Sequence, residues 1–274
     1  MHDVQYRCGV AWQNNCYNQP GYTKFYYASD MDFRQVLPEM KRKPVLYLAG
    51  DSTAQSYHES ERPQTGWGEK LVDALEAENC WKEAHRDSSP FSQEMSYETR
   101  HIIVDNCAMA GRSSRSFREE GRLEDIKNQM KSGDYLLIQF GHNDAAAEKK
   151  ERYVPLETFG ESLMEYIRVA REKKAYPILI SSICLRPCLA NEQGENAKID
   201  ALLPKYAEEM KKLADKENIP YVDMLGITRK ACAKAGEEQT AVWYREDNVH
   251  LQEAGAQLYA HFVAEEIKKL IGKE

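Results

Sequence analysis

From residue 44 onward, short apolar runs alternate with amphipathic stretches. The runs VLYLAG (45–50), HIIVDNCA (101–108), DYLLIQF (134–140), YPILISSI (176–183) and PYVDML (220–225) are rich in Val, Ile and Leu, the composition of strands covered on both faces. Between them, GWGEKLVDALEAE (66–78), a stretch from about 122 to 131, LETFGESLMEYIRVAREKK (156–174) and AKIDALLPKYAEEMKKLADKE (197–217) read as helices. In the last of these, Leu202, Leu203, Tyr206, Met210 and Leu213 recur at helical spacing. The final segment, LQEAGAQLYAHFVAEEIKKLI, sets Leu258, Tyr259, Phe262, Val263, Leu270 and Ile271 on one stripe and predicts a closing helix packed on a sheet. Strands alternating with crossover helices predict an α/β protein: a five-stranded parallel sheet in a three-layer α/β/α, flavodoxin-like arrangement, with reactive groups at the carboxyl ends of the strands.

Residues 1–43 break the pattern. They carry Tyr6, Trp12, Tyr17, Tyr22, Phe25, Tyr26, Tyr27 and Phe33 with few aliphatic side chains, and read as an N-terminal aromatic-rich extension before a catalytic domain of residues 44–274. Such aromatics pack over an exposed flank of the domain or against a neighbouring subunit of a homo-oligomer, or offer a sugar-stacking surface.

With 274 residues, 42% hydrophobic and 30% charged, the chain has the make-up of one globular catalytic domain. Its net charge of -7 is unsuited to tracking a phosphate backbone, so nucleic acid is not an expected partner. No apolar run is long enough to span a bilayer, so no membrane partner is expected either. The start also lacks a basic segment followed by an apolar one, and the expected location is the cytoplasm. The seven cysteines are odd in number and scattered, which suits reduced thiols. Cys184 and Cys188 have no second pair or nearby His to complete a zinc site, so no metal is expected.

Four loops carry residues suited to chemistry. Gly50-Asp51-Ser52 follows the first long apolar strand, where a tight turn can expose the serine hydroxyl and its backbone N–H. The tripeptide alone is also an ordinary turn sequence. Asp247-Asn248-Val249-His250 precedes the last helix. A serine becomes a competent nucleophile when a histidine takes its proton, and a carboxylate fixes that histidine's tautomer and stabilises the imidazolium. Gly111 follows the second strand and Gly141-His142-Asn143-Asp144 the third. The N–H groups of Ser52 and Gly111 and the side-chain amide of Asn143 are candidate donors to a tetrahedral oxyanion. Each loop taken singly is explained by turn or capping chemistry, but all four stand at strand ends and share one purpose if the sheet brings them together.

These blocks resemble the SGNH hydrolase superfamily. GDSTA, GWGEKL at 66–71, AGRSSRSFREEGR at 110–122, FGHND at 140–144 and DNVHLQEAGA at 247–256 are similar to the rhamnogalacturonan acetylesterases of carbohydrate esterase family twelve, over the chain from about residue 45 to its end. The resemblance implies removal of O-acetyl groups from plant polysaccharide without metal or organic cofactor. Ser52 would then be nucleophile, His250 base and then acid, Asp247 its orienter, and Ser52, Gly111 and Asn143 the oxyanion hole. Residues 1–43 and 79–100 do not match that pattern.

Further substrate contacts are expected from Arg112, which with Arg115 and Arg118 could hold a galacturonate carboxylate or instead pair with Glu119, Glu120 and Glu124. His142 and Trp243 are further candidates, Trp243 with the alternative of a buried structural role. Other acyl substrates are the alternatives: xylan or peptidoglycan acetyl groups, a lipid or a thioester. A dinuclear metallophosphoesterase lacks the D-x-H and G-H-x-H elements it would need. A sugar-binding protein on a lapsed esterase fold would not need an intact triad.

Overall fold

The computed structural model describes residues 5–8, 42–75, 80–86, 89–187 and 194–271. Most of the aromatic segment 1–43 lies outside them, as do Cys16 and Cys188. In chain order the strands are β1 (Gln5–Cys8), β2 (Val45–Gly50), β3 (Cys80–His85), β4 (Met95–Glu98), β5 (Ile103–Asn106), β6 (Tyr135–Phe140), β7 (Tyr176–Ser181) and β8 (Tyr221–Val222). The helices are α1 (Leu71–Leu75), α2 (Ser114–Glu119), α3 (Arg122–Gln129), α4 (Leu156–Glu172), α5 (Glu195–Glu217), α6 (Met224–Ala241) and α7 (Glu253–Ile271).

The strands form one mixed sheet in the order β1-β3-β4-β5-β2-β6-β7-β8. All five runs anticipated from the sequence are present, and β5-β2-β6-β7-β8 are mutually parallel. The five-stranded sheet is nevertheless a correction: β4 and β3 continue it antiparallel beyond β5, and β1 adds an antiparallel edge. Seven strands therefore come from the segment after residue 44 and one from residues 5–8. The reason is chemical. Strands β3 (CWKEAH) and β4 (MSYE) lie towards an edge and lack the Val/Ile/Leu run of a strand covered on both faces. A buried cation fastens this extension. Arg86, whose side chain is 1% exposed, reaches Asp105 on β5 at 3.2 Å and also pairs with Glu94 and with Asp125 on α3.

The core is built where the pattern placed it. Leu46, Leu48, Leu136, Ile138, Leu179 and Ile180 are fully buried. Phe117 of α2, Phe140 at the end of β6 and Tyr166 of α4 form an aromatic cluster with ring centroids 5.4–6.2 Å apart. Helices α2 and α6 add to those anticipated from the sequence. The run anticipated as strand 220–225 ends at Val222, because Asp223 accepts the Gly226 N–H at 3.0 Å and starts α6. Helix α6 keeps its large aliphatic residues, Met224, Leu225 and Ile227, in its first turn, and Gly236 (φ 80°) kinks it, which hides its period. Among the described residues no helix is long and apolar enough to cross a membrane.

Strand register positions the loops. Leu48 stands beside Asn106 on β5, and Gly50 beside Gln139 on β6, so the loops leaving these three parallel strands emerge at one edge.

Candidate active site

The first loop folds around a buried carboxylate. The Asp51 side chain accepts the Thr53 N–H at 2.9 Å and the Thr53 hydroxyl at 2.8 Å, while its carbonyl accepts the N–H groups of Ala54 and Gln55 at 3.1 Å. Ser52 is thereby held at the crest of the turn, and the Tyr57 hydroxyl donates to its carbonyl at 2.7 Å. Burial pushes Asp51 up, but the His142 ring 3.7 Å away and the Thr53 bonds hold it below the ordinary carboxylate value. Conversely, burial lowers His142 and the Asp51 charge raises it, with the net direction upward.

Although 198 positions separate them, the His250 Nε2 lies 2.9 Å from the Ser52 Oγ. Nδ1 of the same ring is 2.7 Å from Asp247 Oδ2, and Asp247 Oδ1 accepts the N–H groups of Val249 and His250, each at 2.9 Å. The D-x-x-H spacing works because Asn248 adopts φ 60°, a left-handed conformation that Asn tolerates better than most residues. The Arg186 N–H donates to the Asn248 carbonyl at 2.9 Å, and its guanidinium to the Asn248 side chain at 3.2 Å. Desolvation raises Asp247, but the His250 ring and the two N–H donors outweigh it and hold the carboxyl at about 2. It is a carboxylate at any working pH.

The remaining donors come from the loops after β5 and β6. Gly111 sits at φ 78°, a left-handed turn that glycine occupies without strain. The Ser52 and Gly111 N–H groups have no acceptor among the described residues. Asn143 donates one amide hydrogen to the Arg112 carbonyl at 2.8 Å, which orients the side chain and leaves its second hydrogen for a ligand. Buried Asp144 ties the two loops together, accepting the Ser114 N–H and hydroxyl at 3.0 and 2.6 Å and the Gly141 N–H at 3.1 Å.

Ser52, Gly111, His142, Asn143, Asp247 and His250 line one cavity of about 330 Å³. Ala110, Leu185, Ile199 and Val249 supply its apolar wall, and Lys149, Arg152, Glu195 and Asn196 its polar rim. The structure therefore gathers the four loops. It does not gather every candidate. Arg112 is not on the cavity wall; its Nε contacts both Glu120 oxygens at 2.9 and 3.0 Å, the helix-pairing alternative. Arg115 donates to the Lys150 carbonyl and, with Arg118, lines a separate cavity. Trp243 is 5% exposed, packs edge-on against Tyr259 and lies behind the catalytic loop, with its carbonyl accepting the Gln252 N–H. The backbone at Gly255 passes so close to this carbonyl that a Cβ there would meet it at 2.3 Å. Sequence reasoning missed Arg152, Lys149, Glu195 and Arg186, since a run such as EKKER carries only the signal of a solvated surface.

A hydroxyl, an imidazole and a carboxylate in series, beside free N–H donors, are the equipment of a serine-dependent acyl hydrolase. The chain belongs to the GDSL-like lipase/acylhydrolase family, whose profile matches residues 46–263, and it is an ester hydrolase. It is 35% identical over 246 residues to the rhamnogalacturonan acetylesterase RhgT of Bacillus subtilis (strain 168), covering 84% of this chain and 93% of that protein. It is likewise 35% identical over 231 residues to the probable rhamnogalacturonan acetylesterase YesY of the same organism, covering 82% and 93%. The crystal structure of the Bacillus subtilis protein YXIM_BACsu shares the fold, with a TM-score of 0.65 at 24% identity over 84% of this chain and 57% of that one. Residues 1–36 match a second family, the C-terminal domain of rhamnogalacturonan lyase family 11.

Proposed function

We propose that this chain removes O-acetyl groups from rhamnogalacturonan-type pectic saccharides by a two-step acyl transfer at Ser52. The observation that carries the reading is the Ser52–His250–Asp247 series, at 2.9 and 2.7 Å, opening into a cavity of about 330 Å³. His250 Nε2 takes the hydroxyl proton as Ser52 Oγ attacks the acetyl carbonyl. Asp247 holds the ring in the required tautomer and stabilises the imidazolium. The negative oxygen is met by the Ser52 and Gly111 N–H groups and the Asn143 amide. As the tetrahedral species collapses, the bond to the sugar oxygen breaks, and His250 returns the proton to that oxygen. Water, deprotonated by the same imidazole, attacks the acetyl-serine; acetate leaves and the serine proton is restored. Ala110, Leu185, Ile199 and Val249 offer the acetyl methyl an apolar wall.

The substrate assignment draws on the two acetylesterase relatives and on the match of residues 1–36 to a lyase domain of the same polymer class. The accompanying fold reading is a three-layer, flavodoxin-like one, supported by the β5-β2-β6-β7-β8 order of the parallel strands. Ser52→Ala is expected to lower acetate release from acetylated rhamnogalacturonan by at least about 10³-fold, leaving only what oriented donors supply. A variant that kept wild-type turnover would overturn the proposal.

A further inference from the structure

The cavity contains a cation that the acyl-transfer chemistry does not use. Arg152 lies on its wall, and a Cβ on Gly111 would stand 3.4 Å from the Arg152 Nη1, so the guanidinium flanks the oxyanion loop. It forms no ion pair among the described residues, and its Nε is buried without a hydrogen-bond partner. The neighbouring rim charges are already matched: Lys149 pairs with Glu195 Oε2 at 3.0 Å. Glu195 Oε1, however, is buried with no partner. A buried polar group left unpaired costs free energy in the empty protein, and a guanidinium without a carboxylate is a fork awaiting a planar anion.

The backbone around Arg152 is tied to the oxyanion loops. The segment carrying Arg152 is fixed at both sides: the Arg152 N–H donates to the Lys149 carbonyl at 3.0 Å, and the Val154 N–H to the carbonyl of Asp144, the residue that ties the oxyanion loops together. The backbone that carries Arg152 therefore belongs to the same frame as the reacting atoms.

We propose that Arg152 is a specificity residue that binds the carboxylate of an acidic sugar next to the acetylated position, while Glu195 Oε1 accepts a hydroxyl of the same saccharide. This rests on the acyl transfer proposed for Ser52 and adds to it a requirement for a uronate. Arg152 succeeds Arg112 as the candidate carboxylate ligand, because Arg112 is engaged by Glu120.

The test uses one acetylated rhamnogalacturonan oligosaccharide, with its galacturonate carboxylates free or methyl-esterified, and the ratio of kcat/KM between the two forms. For the wild-type enzyme the free acid should be preferred on the order of 10- to 100-fold, the range of a charge-assisted hydrogen-bonded contact. The preference should appear mainly in KM. In Arg152→Gln the ratio should fall to near one, and Arg152→Lys should restore part of it. A wild-type ratio near one overturns the proposal without any variant having to fold. So does a ratio that survives in Arg152→Gln, including the case in which both forms slow equally because Arg152 acts on the oxyanion. A wild-type enzyme that releases acetate from neither form overturns the acyl-transfer reading itself, and this inference with it.

Discussion

Replacing Asp247 by Asn separates the orienting role of the carboxylate from its role in shaping the loop. Asp247 Oδ1 accepts two backbone N–H groups, and Oδ2 accepts the His250 Nδ1 proton. An Asn retains one oxygen, enough for the two backbone donors, so the loop should keep its shape. Its amide then faces Nδ1 as a donor, and the ring must carry its proton on Nε2, the atom 2.9 Å from Ser52 Oγ. A protonated Nε2 cannot accept the serine proton. In serine hydrolases built on this triad the wrong tautomer costs about 10⁴ in kcat, or about 5 kcal/mol of barrier. The assay is kcat on an aryl acetate together with a thermal melt. The expected result is a loss of about 10³ to 10⁴ with Tm shifted by no more than about 3 °C, since a half-exposed charge contributes under about 1 kcal/mol. Because the folded pKa lies below the usual carboxylate value, at about 2, that small contribution is present at neutral pH and is lost only as pH falls through about 2. A loss below tenfold in a folded variant would refute the orienting role. Asp247→Ala should lower Tm further than Asn, because both backbone donors then lose their acceptor.

Two further changes test the frame around the site. Arg86→Met should destabilise the protein by about 3–5 kcal/mol in urea titration, because it strands buried Asp105 without its cation and leaves buried Glu94 only Arg122 at 3.8 Å; a change below about 1 kcal/mol would show that the network is dispensable. Burial holds the Asp144 carboxyl at about 7 even against its Ser114 bonds. A raised folded pKa gives stability that is complete below the unfolded value and is lost as pH rises through about 7, on the order of 4 kcal/mol for this shift. Asp144→Asn should therefore gain stability relative to wild type between about pH 4.5 and pH 8, and a difference that does not change with pH would exclude this origin.

Much of this was legible because it is local. The five parallel strands were readable from Val/Ile/Leu runs, since a strand covered on both faces must be apolar throughout. The reactive groups were readable because Gly-Asp-Ser and Gly-His-Asn-Asp stand where a strand ends and Asp-x-x-His just before the last helix begins. The antiparallel strands β3 and β4 were not, because strands towards the edge of a sheet owe their pairing to a neighbour rather than to their own side chains. Helix α6 was obscured for a related reason: its period is weak, and Asp223 places the boundary.

Trp243 and Arg152 mark the limit most clearly. Both stand beside chemistry in some sense, Trp243 in sequence and Arg152 in space, and only the second lines the cavity. By itself the sequence determined the backbone periodicities, the residue types at each strand end and the local Asp247–His250 pairing, all governed by neighbours a few positions apart. Tertiary structure alone decided that Ser52 and His250 meet across 198 positions, that Arg112 is spent on Glu120, and that Arg152, without an ion pair among the described residues, lines the cavity. Those outcomes depend on sheet register and on competition among charges distant in sequence, which chain order does not encode locally.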